Sequence, residues 1–238
     1  MGMIGAESYR FMQELYQNNS KEWFDDNRTR YETVLRDPFK ALVAELSGPI
    51  MALLPEFEGK PKISRINNDL RFQPNKAPYK EHVWCSFGEG QAVTFFGLSR
   101  EGWSVGCTVG SKKKSDLAGW RENLMKREQQ WNRYIDSLQL IGGVRTHIGS
   151  CYDRPLTEGI PDTVYELVQA KDVVFYSLPK TDDSGSLERN ILLGMASMIP
   201  AYFFMTVEPA KLTVALERLG SDIIPPLPEV EKVWSSIL

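Results

Sequence analysis

The residues with the clearest capacity for chemistry lie between Arg65 and His82, where 18 residues carry five basic or switchable side chains around Pro74 and Pro78. An arginine guanidinium offers a planar fork that fits phosphate or carboxylate, and a lysine ammonium adds a mobile point charge. The two prolines restrict the loop to few conformations. The pattern therefore predicts an anion-binding site formed by Arg65, Arg71, Lys76 and Lys80.

The charge of this segment differs from that of the whole chain. The chain has a formal charge of -3, whereas residues 60–82 carry six basic and two acidic side chains, a net +4 with histidine neutral. This local excess favours one anionic small molecule. The overall acidity argues against general binding to nucleic acid, which selects a strongly basic surface. A structural alternative stays open, in which Arg65 and Arg71 pair with Asp69 or with acids of the preceding helices.

Three residues of the same segment are candidates for catalysis, namely His82, Asp69 and Tyr79. An imidazole with an ordinary pKa near ~6.5 can exchange a proton at neutral pH, and Tyr79 could orient the anion. A structural histidine is the favoured alternative, because no nucleophile is apparent beside it. His82 and Cys85 face opposite sides of a strand, so no metal site is predicted. No cofactor motif is present, and none is expected.

The elements that must position these residues predict an α+β fold. Apolar residues at helical spacing predict helices over residues 6–54, with a cap at Ser20 and a disturbance at Gly48 and Pro49. Runs rich in Val, Phe, Thr and Trp predict an antiparallel meander over residues 82–87, 92–99 and 103–109. The whole sheet is expected over residues 62–110.

An extended segment over residues 63–72 would place its side chains alternately on two faces. One face would be polar, with Arg65, Asn67, Asp69 and Arg71, and the other apolar, with Ile66, Leu70 and Phe72. The polar face would then carry the anion site.

The second half of the chain predicts a long helix over residues 115–140, capped by Ser115, and an α/β part over residues 144–238. No repeat or linker is apparent, so residues 1–238 are expected to form one domain with a mostly antiparallel central sheet packed by N-terminal and C-terminal helices. Residues 191–207 lack charge but are shorter than the ~20 residues of a typical membrane helix. They predict a buried helix, and no membrane association is expected.

Three cysteines lie far apart in the sequence, at positions 85, 107 and 151. Their odd number and spacing argue against a disulfide framework and favour a reducing compartment. The first residues lack the basic start and the apolar stretch of a secretory signal. Both features predict a cytoplasmic protein.

Four motifs follow one another along the chain: Asn-Ser-Lys-Glu-Trp-Phe-Asp-Asp-Asn-Arg-x-Arg-Tyr over residues 19–31, Pro38-Phe39, Arg-Ile-x-x-Asp-x-Arg-Phe over 65–72, and Lys-x-Pro-Tyr-Lys-x-His over 76–82. Over most of its length the chain resembles the domain of unknown function 2461 family of conserved hypothetical proteins. The resemblance implies no established activity. The chain departs from the usual family pattern at Asn68, at Asn75 and in residues 152–155.

Two functions from different classes are compatible with these residues. The first is an enzyme, hydrolase-like in type, or a ligand-binding protein, with a pocket between the N-terminal helices and the sheet. The alternative is a non-catalytic module that docks an acidic protein partner on the same loop. A third reading uses the aromatic residues of the meander to stack nucleic-acid bases, although core packing accounts for them more simply.

Overall fold

The computed structural model describes residues 3–53, 60–71, 75–88, 90–111, 113–138, 145–151, 164–177 and 186–219. In these residues the α-helices are α1 (Ala6–Gln17), α2 (Lys21–Asp26), α3 (Arg28–Tyr31), α4 (Asp37–Leu53), α5 (Ala118–Lys126), α6 (Glu128–Leu138), α7 (Val164–Gln169), α8 (Leu187–Thr206) and α9 (Leu212–Arg218). The strands are β1 (Lys62–Ile63), β2 (His82–Phe87), β3 (Ala92–Ser99), β4 (Gly102–Gly110), β5 (Arg145–Cys151) and β6 (Ala170–Ser177). The α+β class is confirmed.

The N-terminal helices follow the predicted pattern. Ser20 caps α2, since its hydroxyl accepts a hydrogen bond from the backbone nitrogen of Trp23 at 3.2 Å. A π-helix over Glu32–Arg36 joins α3 to α4. The α4 helix continues through Pro49, although a disturbance was expected there. Buried side chains on both sides of the proline, Leu46 and Ile50, hold this helix against the core.

The strands of the described residues form a six-stranded sheet in the order β1-β2-β3-β4-β6-β5. Every neighbouring pair is antiparallel, and β2, β3 and β4 form the predicted meander. The register places Trp84 beside Gly97, and Gly97 beside Ser104. These pairs bring small residues to the middle of one face of the sheet.

That sheet has two unlike faces. On the core face, the side chains are buried against α8, α4 and α6; Phe96, for example, meets Phe39 of α4 edge to face at a centroid distance of 5.7 Å. The close approach of α8 to β4 depends on Gly194, where an added Cβ would lie 2.5 Å from a methyl group of Val105. On the other face, called the groove face below, Trp84 and Phe95 remain partly exposed.

Two predicted elements were wrong in detail. The extended segment over residues 63–72 is a strand only at Lys62–Ile63, followed by a single bridge between Asn67 and Tyr79. Ile66 is buried as expected, but Leu70 is exposed, and Phe72 lies outside the described residues. The backbone groups of this segment pair within a loop instead of along a sheet.

The long helix predicted over residues 115–140 is interrupted. A 3-10 turn over Lys114–Leu117 precedes α5, so Ser115 is not its cap, and the chain leaves helical geometry at Arg127 before α6 begins. The Arg127 guanidinium donates to the carbonyl oxygen of Pro209 at 2.8 Å. This tertiary contact accompanies the break.

The apolar segment near residue 200 forms α8, a helix of 20 residues packed on the sheet, as predicted. Within the part of the chain that the structure describes, we find no helix with the length and apolar character to cross a membrane. Cys85 and Cys107 are free thiols buried in the core.

Candidate functional site

The predicted site is a loop whose two arms pair with each other. The backbone nitrogen of Asn68 donates to the carbonyl oxygen of Pro78 at 2.9 Å, and that of Lys80 donates to Ile66 at 2.7 Å. These bonds flank the bridge between Asn67 and Tyr79. The pairing gives residues 65–71 and 75–82 a defined shape although little of either stretch is regular strand.

Two asparagine side chains complete the loop. The amide nitrogen of Asn68 donates to the carbonyl oxygens of Ala77 at 2.8 Å and Tyr79 at 3.0 Å. Asn19, which precedes α2, donates to the Tyr79 oxygen at 2.9 Å and accepts from the Tyr79 nitrogen at 3.0 Å. The Asn19 amide therefore pairs with Tyr79 as a neighbouring strand would, and it ties the loop to the helices.

The Tyr79 ring is the second tie between the loop and the helices. It is buried and stacks on Phe24 of α2, with ring centroids 3.9 Å apart and an angle of 16° between the planes. The Arg28 guanidinium lies 5.4 Å from the centroid of the Phe24 ring. Residues 19–31 and 76–82, which carry two of the motifs noted above, are thus direct neighbours.

We expect Asn19→Ala to lower the free energy of unfolding by about 2 kcal/mol, because it leaves the backbone nitrogen of Tyr79 without this partner and the carbonyl oxygen with the Asn68 amide alone. The matched control is Asn18→Ala, since the Asn18 side chain makes one exposed bond to the Glu14 carbonyl within its own helix end. Urea denaturation of both variants measures the difference. If both variants lose the same free energy of unfolding, the contact between Asn19 and Tyr79 makes no specific contribution to stability.

Arg71 does not face the other cations of the loop. Its guanidinium pairs with the carboxylate of Asp69, with 2.5 Å between the closest atoms, and its side chain is 79% exposed. The hydrogen bonds from Arg71 lower the pKa of Asp69. Arg71 thus forms the ion pair with Asp69 that the structural alternative described. Asp69 is ionised in this pair, and an ionised carboxylate has no proton to give as a general acid.

Lys80 points back onto its own loop. The ammonium donates to the carbonyl oxygens of Arg65 and Asn67. Its pKa is lowered, first because the loop partly removes it from water and then because Lys76 and Arg65 lie nearby. Lys80 is therefore a half-buried cation with two cationic neighbours.

A depression of about 400 Å³ opens beside this group. Its lining residues are Asn68, Lys76, Ala77, Tyr79, Lys80, Glu81 and His82. His82 stands at its edge, where partial removal from water, followed by the charge of Lys80, lowers the pKa of the imidazole. Glu81 is the acidic side chain of the lining. The depression brings together four of the predicted residues, namely Lys76, Tyr79, Lys80 and His82.

The comparisons with known proteins identify the family of the chain. The sequence model of a family described as conserved hypothetical protein DUF2461 matches residues 7–187. The chain belongs to this family. Neither the curated proteins nor the solved structures contain a match to it. The part matched by the DUF2461 family includes the loop, the α1 and α2 helices and the whole sheet.

The predicted catalytic candidates of this DUF2461 member are not arranged as one reactive group. Tyr79 lines the depression but is held by stacking and by backbone bonds, Asp69 pairs with Arg71, and His82 also lines the depression. His82 and Cys85 diverge as expected, because Cys85 is buried on the core face. Among the described residues of the lining there is no serine, threonine or cysteine.

Apolar side chains of the N-terminal helices and of the core face of the sheet belong to one buried cluster. The aromatic residues of the meander do not form one surface: Phe87 and Phe96 lie in the core, while Trp84 and Phe95 lie on the groove face. Residues 152–155 lie outside the described residues.

Sequence reasoning missed the roles of Asn19, Asn68 and Phe24. An asparagine beside the start of a helix is typical of a turn, and the pattern around Phe24 indicates a core residue. Asn19 and its partner Tyr79 are 60 residues apart, so no local pattern reveals their contact.

Proposed function

We propose that this protein binds a small anion, a phosphate or a carboxylate, in the depression beside the 65–82 loop. Lys76 would supply the mobile charge, Lys80 and Arg65 would add to the positive potential, and His82 would donate or accept a hydrogen bond at the edge. Arg71, which was part of the predicted set, is left out because it pairs with Asp69 outside the lining.

The observation that carries the proposal is the crowding of cations around Lys80. Lys76 and Arg65 both lower its pKa, and Lys76 also lowers the pKa of His82. Glu81 raises the pKa of His82, but among the described residues no acidic side chain is found to raise the pKa of Lys80. Like charges gathered by one loop repel one another, and a bound anion would relieve this repulsion.

The proposal includes no reaction. The lowered pKa of His82 leaves the imidazole mainly neutral at pH 7, so it could accept a proton from a ligand or a water molecule. A nucleophile beside it would be needed for a covalent step, and the described residues of the lining provide none.

We expect Lys76→Ala to weaken the binding of inorganic phosphate by about tenfold, the loss of one charge-assisted hydrogen bond. Calorimetric titration at low ionic strength measures the dissociation constant. The matched control is Lys113→Ala, another exposed lysine, which lies away from the loop and should leave affinity unchanged.

The His82 imidazole gives a second readout by NMR, because the chain has two histidines. Phosphate should raise the pKa of His82, since an anion stabilises the imidazolium form. Affinity should consequently increase as pH falls toward that pKa. If phosphate causes neither heat nor a change in the His82 titration, the proposal is wrong.

Docking of an acidic protein partner remains the alternative hypothesis. The exposed Arg71 would suit such a surface better than it suits a pocket. Two results together would favour this alternative. Phosphate would not bind in the titration, and an acidic protein partner would bind to the Lys113→Ala variant but not to Arg71→Ala.

A further inference from the structure

A second cavity lies on the groove face and shares the lining residue His82 with the depression. It has a volume of about 300 Å³, at the lower end of the usual range for ligand pockets. Residues of four strands line it, including Trp84 of β2, Phe95 of β3, Ser104 of β4 and Val174 of β6. The cavity therefore spans three spacings between neighbouring strands, a width of about 14 Å. This cavity is called the groove below.

Small residues give the groove its depth. Gly97 and Ser104 pair across β3 and β4 beside Trp84 on the floor of the groove, and Thr108 pairs with Val174 across β4 and β6 farther along it. The Phe95 ring lies against Gly106, where an added Cβ would be 2.7 Å from a ring carbon. Larger side chains at these positions would fill the groove.

The groove lining is mainly apolar, in contrast to the depression. The side chains of Trp84, Val93, Phe95 and Val174 form its walls, and serine and threonine hydroxyls add a few polar groups. Such a lining would bury an apolar group and thereby gain the free energy of removing it from water. Among the described residues, the lining contains no lysine, arginine or acidic side chain.

His82 lines both the groove and the depression. The two cavities are therefore adjacent at the start of β2, where Lys76 and Lys80 line the depression, and Trp84 and Ser99 line the groove. Positive charge thus lies at one end of the combined site, and apolar surface lies along the rest. This polarity points to a ligand with the complementary distribution.

We propose that the ligand is an amphiphilic anion, whose phosphate or carboxylate head lies among Lys76, Lys80 and His82 and whose apolar tail lies in the groove over Gly97 and Ser104. This inference rests on the proposed function and names the class of its ligand. The head provides orientation through charge, and the tail provides affinity through burial.

The test compares three probes that differ in one part each: methyl phosphate, hexyl phosphate and hexanol. Calorimetric titration should give hexyl phosphate a dissociation constant at least about tenfold lower than that of methyl phosphate, because each buried methylene contributes. Hexanol should bind more weakly than hexyl phosphate, since it lacks the head. Equal affinity of the two phosphates would overturn the inference while leaving the proposed function intact.

Ser104→Phe tests the binding of the tail independently of the binding of the head. The added ring should fill the groove, reduce the affinity for hexyl phosphate to that of methyl phosphate and leave methyl phosphate unaffected. Val214→Phe is the matched control, because Val214 is an exposed residue of α9 outside the groove. If Ser104→Phe does not fold, the probe series on the wild-type chain still decides the question.

Three other outcomes also count against the inference. If neither phosphate binds, the proposed function fails with it. If hexanol binds as tightly as hexyl phosphate, the groove takes apolar ligands without the cations. If the wild-type chain is a dimer that Ser104→Phe dissociates, the groove is an interface between two copies.

Discussion

Gly106→Ala should lower the free energy of unfolding by about 3 kcal/mol, at the upper end of the cost of overpacking. A Cβ at this position would lie 2.2 Å from the carbonyl oxygen of Phe175 and 2.7 Å from the Phe95 ring. The first contact is with the backbone of the neighbouring strand β6, so a side-chain rotation cannot relieve it. The β4 and β6 strands would have to separate.

The matched control for this variant is Gly119→Ala. Gly119 lies in α5, and a Cβ there would meet its nearest neighbour, Pro209, at 3.8 Å, an ordinary contact. Alanine should raise the free energy of unfolding by about 0.5 kcal/mol, because it loses less backbone freedom in a helix than glycine does. Urea denaturation of both variants gives the comparison. Similar effects from the two would contradict the close packing of β4 on β6.

Tyr79→Ala should lower the free energy of unfolding by about 3 to 5 kcal/mol, the usual effect of removing a buried aromatic ring. The ring is 5% exposed and stacks on Phe24. Its loss would leave a cavity between the loop and α2, and the backbone bonds to Asn19 would lose their support. Thermal and urea denaturation measure this change.

Tyr79→Phe distinguishes a structural role from a catalytic one. Phenylalanine keeps the stack on Phe24 but removes the hydroxyl, which lies within electrostatic range of Lys21 and Arg28. We expect stability close to that of the wild type and an unchanged dissociation constant for phosphate. A tenfold weaker affinity in this variant would instead show that the hydroxyl contacts the anion.

The elements of the fold were largely predictable because local patterns encode them. Ser20 caps α2 as its position indicated, and the alternation of Val105 and Cys107 with smaller residues marked the buried side of β4. Helical and strand periodicities depend on residues a few positions apart. The break at Arg127 was missed because its bond to Pro209 joins residues 82 positions apart.

The candidate site was predictable in place but not in arrangement. Composition located an excess of positive charge at residues 60–82, and motifs identified the DUF2461 family. Tertiary structure decided that Arg71 pairs with Asp69, that Lys80 turns toward its own loop and that His82 stands between two cavities. The sequence by itself thus determined which charges are present and which elements form. Only the folded chain determined which charges converge, because each side chain selects its partner among groups that are distant in sequence and close in space.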